Sequence, residues 1–281
     1  MIHGHGLGFS RGGGTANGEV APVTSTDVGH LRAGGAGGVG GTVYRAVAAE
    51  LAAIRHRAPE RAPTVLDVGG GSGAWAVPLA TAGCAVSVVD PSPNALAALR
   101  RRAQDAGVEE LVTPVTGEVE RLAEVAPLAQ ADLVLGHGLL EVVDDPHAAV
   151  RALARAAAPG GAVSVLVAGR FAAVLARTLA GRVAEARALL ADPDGRFGPD
   201  DALRRRLDVA RLRQALAAAP ELRVELLQGD GVVECWAPGP SREHEGGGAP
   251  RALGELEELA AAESALIDVA ARLHAIARRV G

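Results

Sequence analysis

"LDVGGGSGAW", residues 66–75, joins a short β-branched run to an Ala-rich stretch with helical spacing. Gly69, Gly70, Gly71 and Gly73 crowd the junction. Glycine admits positive φ and lets backbone N–H groups approach a bound molecule with no Cβ in the way. Strand, glycine-rich turn and helix in this order make the first β–α unit of an open parallel sheet. Such sheets bind ligands at the carboxyl ends of their strands. The turn at 67–73 therefore indicates both the fold and the place of a site.

The pattern repeats outward from it. "TVLDVG" (64–69) reads as the first strand and Gly73–Ala82 as the following helix. "AVSVVD" (85–90) is the second strand, and Ser92–Ala106 is a helix with Leu96, Leu99 and Ala103 on one face. "LVTPVTG" (111–117) is a third strand, although Pro114 cannot donate to a ladder. "ADLVLGHG" (131–138), a helix over Pro146–Ala158 and "PGGAVSVLVAG" (159–169) complete five strands. Strands alternating with helices predict right-handed βαβ units and a mostly parallel sheet.

Beyond 170 the rhythm changes. Phe171–Leu190 and Asp201–Ala219 read as two helices separated by "DPDGRFGPD", and 222–237 as two strand-like halves. A long helix over 251–270 leads to "LHAIARR" (273–279), a last strand. Residues 1–28 read as a disordered Gly-rich tail and 238–250 as a mobile loop. "GGAGGVGG" (34–41) has no strand before it to aim a ligand cradle, and reads as a flexible lead into a helix over Thr42–Arg57.

Composition narrows the partners. The chain has 281 residues, 48% hydrophobic but only 2% aromatic, so Ala, Val and Leu must fill its core. A net charge of −5, with Arg as the only strong base, offers no global attraction to nucleic acid or to an anionic membrane. Arg100–Arg102 and Arg204–Arg206 fall in Ala/Leu-rich helical patterns and read as solvated helix faces. Cys84 and Cys235 are too few for a disulfide framework or a metal site, and both lie in apolar runs that predict burial. His3 and His5 sit in the glycine tail, where a floppy segment is favoured over metal capture, so no metal is expected. With no run of 18 apolar residues and no secretory leader pattern, a cytoplasmic, reduced protein is expected.

Two ligand patterns overlap in the glycine turn. Gly69-x-Gly71-x-x-Ala74 fits the dinucleotide fingerprint, while Asp67-x-Gly69-x-Gly71-x-Gly73 fits the acidic loop of S-adenosylmethionine (SAM) enzymes. Asp90 ends the second strand, where a carboxylate can accept from both ribose hydroxyls of either ligand. Its competing role as a helix cap is weakened because Ser92 can cap instead. Asp67 separates the two ligands. An acid just before the glycines repels a pyrophosphate brought to the helix N-terminus. SAM carries an α-ammonium and a sulfonium, which an acid favours. Against this stands Asp67 merely accepting from loop N–H groups.

"VLDVGGGSG", "VSVVDPSPNAL", "GEVERL" and "PGGAVSVLVA" resemble, in order and spacing, the successive motifs of class I SAM-dependent methyltransferases. The resemblance covers roughly 60–170 and implies an α/β, Rossmann-like fold. Its seven-stranded, mostly parallel sheet would have helices on both faces and a reversed last strand, within a methyltransferase domain over 29–281. Residues 170–220 and 238–250 would then form a lid over the acceptor. "LGHGLLEVVDDP" (135–146), Gly29-His30-Leu31-Arg32, the segment from Arg196 and the terminal "LHAIARR" resemble more narrowly the tRNA carboxymethoxyuridine methyltransferase group.

Carried onto this sequence, the resemblance implies that Arg32 pairs bidentately with the SAM carboxylate. Gly69 and Gly70 would lie along the ligand, in the turn that also contains Gly71, and Asp90 would hold the ribose. Glu118 would accept from the adenine amino group, and Val119 would border the ring. His137 would sit near the methionine part and the reacting methyl, unless it only satisfies a loop carbonyl. The tRNA group has a G-V-R-V-F-H stretch where this chain has Gly231-Val232-Val233-Glu234-Cys235-Trp236. The lost Arg and His, and the gained Glu234, do not suit a phosphate-rich acceptor.

The expected reaction is methyl transfer to an oxygen, nitrogen or carboxylate of a small molecule or a modified tRNA base, with no DNA or membrane partner. His137 is the first candidate for a general base, ahead of His274 and Glu141. A non-catalytic SAM-binding partner protein and an NAD-dependent oxidoreductase are the competing readings.

Overall fold

In the computed structural model, which describes residues 41–126, 128–237 and 249–281, the β-branched runs form one seven-stranded sheet. The strands are β1 (Thr64–Val68), β2 (Ala85–Asp90), β3 (Val112–Thr116), β4 (Ala131–His137), β5 (Ala157–Ala168), β6 (Leu222–Asp230) and β7 (Arg272–Arg279). Their order is β3-β2-β1-β4-β5-β7-β6, with only β7 antiparallel to its neighbours β5 and β6. The chain runs outward from β1 through β2 to β3, then returns to lay β4 on the other side of β1. This reversal creates a crevice at the carboxyl ends of β1 and β4. It is the architecture that the sequence pattern and the resemblance imply.

Side-chain alternation explains why both faces need cover. Val86 and Val88 enter one hydrophobic cluster with Val43, Val47, Leu51 and Leu79, while Val89 enters the opposite one with Leu153 and Leu212. Helices α1 (Thr42–Arg57), α2 (Ala76–Thr81) and α3 (Pro93–Asp105) cover the first face. The second is covered by α4 (Leu122–Val125), α5 (Pro146–Ala156), α8 (Val209–Leu216), α9 (Ala249–Ala262) and α10 (Ser264–Ile267). Between β5 and α8 lie α6 (Arg170–Leu179) and α7 (Val183–Ala191).

Several elements differ from the sequence expectation, each for a local reason. The helix after the glycine turn starts at Ala76 rather than Gly73, because Gly73 has φ +81°. Phe171–Leu190 is two helices, broken where Gly181 adopts φ +73°. Asp201–Ala219 keeps only α8, started by the Asp208 carboxylate accepting from Arg211 N. The long terminal helix splits before α10, where Glu263 accepts from Ala265 N. The second half of 222–237 is no strand. The buried Glu257 carboxylate accepts from the N–H groups of Val232, Val233 and Glu234 at 2.7, 2.8 and 3.0 Å, and these bonds replace a ladder.

Arg204–Arg206 is likewise no helix face. Arg205 and Arg206 are buried, and only Arg204 is exposed. Arg100–Arg102 is exposed on α3, as expected. Cys84 is buried but Cys235 is exposed, since the strand meant to bury it does not form. The 1–28 tail, His3, His5, Arg32 and most of the 238–250 loop lie outside the described residues. Among the described residues no helix is long and apolar enough to cross a membrane, and no group of acidic, His and Cys side chains is arranged to hold a metal.

Candidate functional site

The glycine turn is stitched to the end of β2. Gly69 N–H donates to Val89 O at 2.8 Å, and Gly71 N–H donates to Asp90 Oδ2 at 2.9 Å. Asp90 Oδ1 accepts from Ser92 N–H at 2.9 Å, while Ser92 itself caps α3 through Ala95 N. Asp90 is therefore not the side-chain cap of that helix. Its carboxylate stands at the rim of the turn with both oxygens facing donors.

Beneath it, Asp67 is 1% exposed and its Oδ2 has no hydrogen-bond partner among the described residues. Burial, and then the Asp90 charge, push its pKa up to about 7. The missing side chain of Gly70 leaves room for that oxygen under the turn. A Cβ on Gly70 would fall 2.3 Å from Asp67 Oδ2 and 2.9 Å from Val88 Cγ1. Oδ2 is thus not spent on loop N–H groups. A buried, unpaired carboxylate oxygen beside a second carboxylate attracts a cation and disfavours a pyrophosphate. The donor set fits the charged groups of SAM better than a dinucleotide. Gly70→Ala is expected to destabilise the fold by roughly 1–3 kcal/mol through overpacking. Urea unfolding checks this, and an unchanged midpoint would mean that the Asp67 carboxylate turns away freely.

The neighbouring strand ends bring the next candidates to the same edge. Thr116 pairs with Asp90 in the β2–β3 register, and Gly117 N–H donates to Asp90 O at 3.3 Å. Glu118 follows, exposed, and Val119 is buried in the core under it. Asp67, Gly69, Gly70, Gly71, Asp90, Glu118 and Val119 thus gather at the carboxyl ends of β1–β3.

On the other side of the crevice, His137 ends β4. The ring edge-packs on Trp75 at 4.7 Å between centroids. His137 Nε2 meets Ser164 Oγ at 2.8 Å, and Ser164 Oγ meets His274 Nε2 at 2.9 Å. His274 Nδ1 in turn lies 3.0 Å from the Gln228 amide nitrogen. The sheet register explains the row: His137 pairs with Leu166, Leu166 with His274, and His274 with Gln228. One row nearer the edge, Asp230 binds Arg272 through Oδ2 and accepts from Thr42 Oγ1 at 2.8 Å. Burial lowers His137 well below the usual histidine range, helped by His274 and Arg272. Burial also lowers fully enclosed His274 to about 4. Both rings are neutral at pH 7.

Glu141 is already committed. Its Oε1 accepts from Ala168 N at 2.5 Å, and burial raises its pKa. Through this bond it orients the loop after β4. Arg205 holds the same loop, donating to the carbonyls of Leu140 (2.8 Å), Val143 (2.5 Å) and Asp144 (3.1 Å). Arg205→Ala strands these buried acceptors and is expected to cost about 2–4 kcal/mol, given roughly 1–3 kcal/mol for each orphaned group. Thermal unfolding checks it, and a loss below about 0.5 kcal/mol would show that water replaces the guanidinium.

Sequence reasoning placed His137 and ranked His274 behind it, but missed Ser164, Gln228, Arg272 and Trp75. One signal was legible: Ser164 is the lone hydroxyl in the apolar run 162–168.

A family profile described as a methyltransferase domain matches residues 43–215. The ubiquinone biosynthesis O-methyltransferase of Caulobacter vibrioides is 35% identical over 123 residues, 44% of this chain and 45% of that protein. That of Pseudomonas paraeruginosa is 36% identical over 110 residues, 39% of this chain and 46% of that protein. The chain thus spans less than half the length of these curated relatives. A SAM-dependent methyltransferase structure from Methanosarcina mazei shares the fold with a TM-score of 0.53 and 14% identity, over 81% of this chain and 97% of that one. A geranyl diphosphate C-methyltransferase from Streptomyces coelicolor A3(2) does so with a TM-score of 0.52 and 13% identity, over 84% and 77%. These relatives do not single out the tRNA carboxymethoxyuridine group.

Proposed function

The chain belongs to the methyltransferase-domain family of SAM-dependent enzymes, and on that premise we propose that it methylates an oxygen or carboxylate of a small organic acceptor. The bare, buried Asp67 Oδ2 beside Asp90 carries the reading of the cofactor pocket. When bound, SAM supplies a methyl group already activated by its sulfonium. The residues have to hold, orient and keep out water. Asp67 faces the α-ammonium, and Gly69, Gly70 and Gly71 line the ligand with backbone. Asp90 takes the ribose hydroxyls, Glu118 the adenine amino group, and Val119 underlies the ring. Arg32 pairs with the carboxylate, and His137 borders the acceptor. Residues 29–281 act as one methyltransferase domain, with the helices of 170–220 and the 238–250 loop as an acceptor lid.

Two observations favour a small molecule over tRNA. The chain carries a net charge of −5, whereas phosphate contacts supply most nucleic-acid affinity. The curated relatives are named for O-methylation in ubiquinone biosynthesis, which supports an oxygen acceptor. Incubation with methyl-labelled SAM and a cell extract fractionated into RNA, protein and small molecules tests this. Label in the small-molecule fraction is expected, and label in RNA would overturn it.

A further inference from the structure

We propose that His137 meets the methyl acceptor as a hydrogen-bond donor, its polarity fixed by the row Ser164–His274–Gln228, and that the acceptor oxygen is therefore an anion, a carboxylate or phenolate. The assignment rests on the reading of this chain as a SAM-dependent enzyme and follows from counting protons along the row.

Gln228 presents its amide nitrogen to His274 Nδ1 at 3.0 Å. An amide nitrogen only donates, so His274 Nδ1 is the bare, accepting nitrogen. Neutral imidazole has one N–H, which places the His274 proton on Nε2, where it donates to Ser164 Oγ at 2.9 Å. The Ser164 hydroxyl has one proton, and it is free to donate to His137 Nε2 at 2.8 Å. His137 Nε2 is then the acceptor, and its proton sits on Nδ1. That Nδ1 is buried and has no partner among the described residues. A buried, unpaired N–H beside a cofactor crevice calls for an acceptor atom, which a bound methyl acceptor can supply.

A general base would need the opposite arrangement, with a lone pair on Nδ1. The row denies it, and so does the low proton affinity of both buried rings next to Arg272. A donor serves a different acceptor. As the oxygen–carbon bond forms and the carbon–sulfur bond breaks, the anion's negative charge and the sulfonium's positive charge cancel. No proton has to leave, and a neutral N–H is all that the oxygen asks of His137. Ser164, His274 and Gln228 are positioning residues in this scheme.

Nitrogen-15 spectra of histidine-labelled protein distinguish the tautomers directly, with signals assigned by His137→Gln and His274→Gln. The spectra are taken alone and with S-adenosylhomocysteine. The wild type is expected to hold His137 with its proton on Nδ1 and His274 with its proton on Nε2, both neutral at pH 7. His137 protonated on Nε2 would overturn the proposal. Ser164→Ala, which removes one oxygen, and Gln228→Leu are each expected to release His137 into a mixture of tautomers. Unchanged His137 shifts in both folded variants would show that the row only packs, and would also overturn it. Calorimetry with S-adenosylhomocysteine on the same samples separates the two readings. Failure to bind counts against the cofactor assignment, whereas binding with the Nε2 tautomer counts against the donor assignment alone.

Discussion

Asp67→Asn is expected to stabilise the ligand-free protein above pH 7 while removing most of its affinity for SAM. The folded carboxyl titrates near 7, raised by burial first and by Asp90 second, against an ordinary value of 3.8. A raised acid pKa means that the native state holds its proton where the unfolded chain has lost it. Stability from this group is thus full below pH 4 and declines as pH rises through 7. Roughly three units at about 1.4 kcal/mol each set an upper bound of about 4 kcal/mol. Asn carries no such penalty. Urea unfolding should show the variant gaining on the wild type between pH 5 and pH 8, with no gain at pH 4. A constant difference across that range would mean that Asp67 does not titrate there. Loss of a charge-assisted contact to the ammonium, worth roughly 1.5–3 kcal/mol, corresponds to a roughly 10- to 150-fold weaker SAM dissociation constant at pH 8.

Asp90→Ala is the second large effect, because this side chain serves both the turn and the ligand. Its two oxygens accept from Gly71 and Ser92 N–H, so the substitution loosens the glycine turn as well as deleting the ribose contact. A combined loss of about 3 kcal/mol predicts SAM binding weakened about 150-fold by calorimetry. Asp90→Asn keeps the shape and one acceptor and should fall between the two. The same substitution also removes a charge that raises Asp67, so the pH at which SAM binding strengthens should move down. Unchanged SAM affinity in Asp90→Ala would remove Asp90 from the site.

The parts legible in the sequence are those with strong local physics. The β-branched runs between turn signals became β1 to β5, and the motif acids reached one edge because motif spacing fixes which residue ends each strand. What the sequence hid depends on contacts far along the chain. Glu257 reaches back to bond three N–H groups of 232–234, turning an apparent strand into a loop. Arg205 and Arg206 look like a solvated triplet until Leu140, Val143, Gly195 and Asp201 surround them. The His137 row is assembled from four strands whose order, with β7 between β5 and β6, local periodicity does not specify. Ser164 and Gln228 therefore gave no sign of their partner, whereas His137 was marked by its place after β4.

The central claim is that the acidic glycine turn binds the cationic part of SAM through Asp67. Calorimetric titration of SAM in buffers of different ionisation enthalpy counts the protons exchanged on binding. At pH 6 the wild type should release about one proton, as the bound cation forces Asp67 to ionise, and Asp67→Asn should release none. SAM binding to the wild type at pH 6 without proton release, and with equal affinity in the variant, would contradict it.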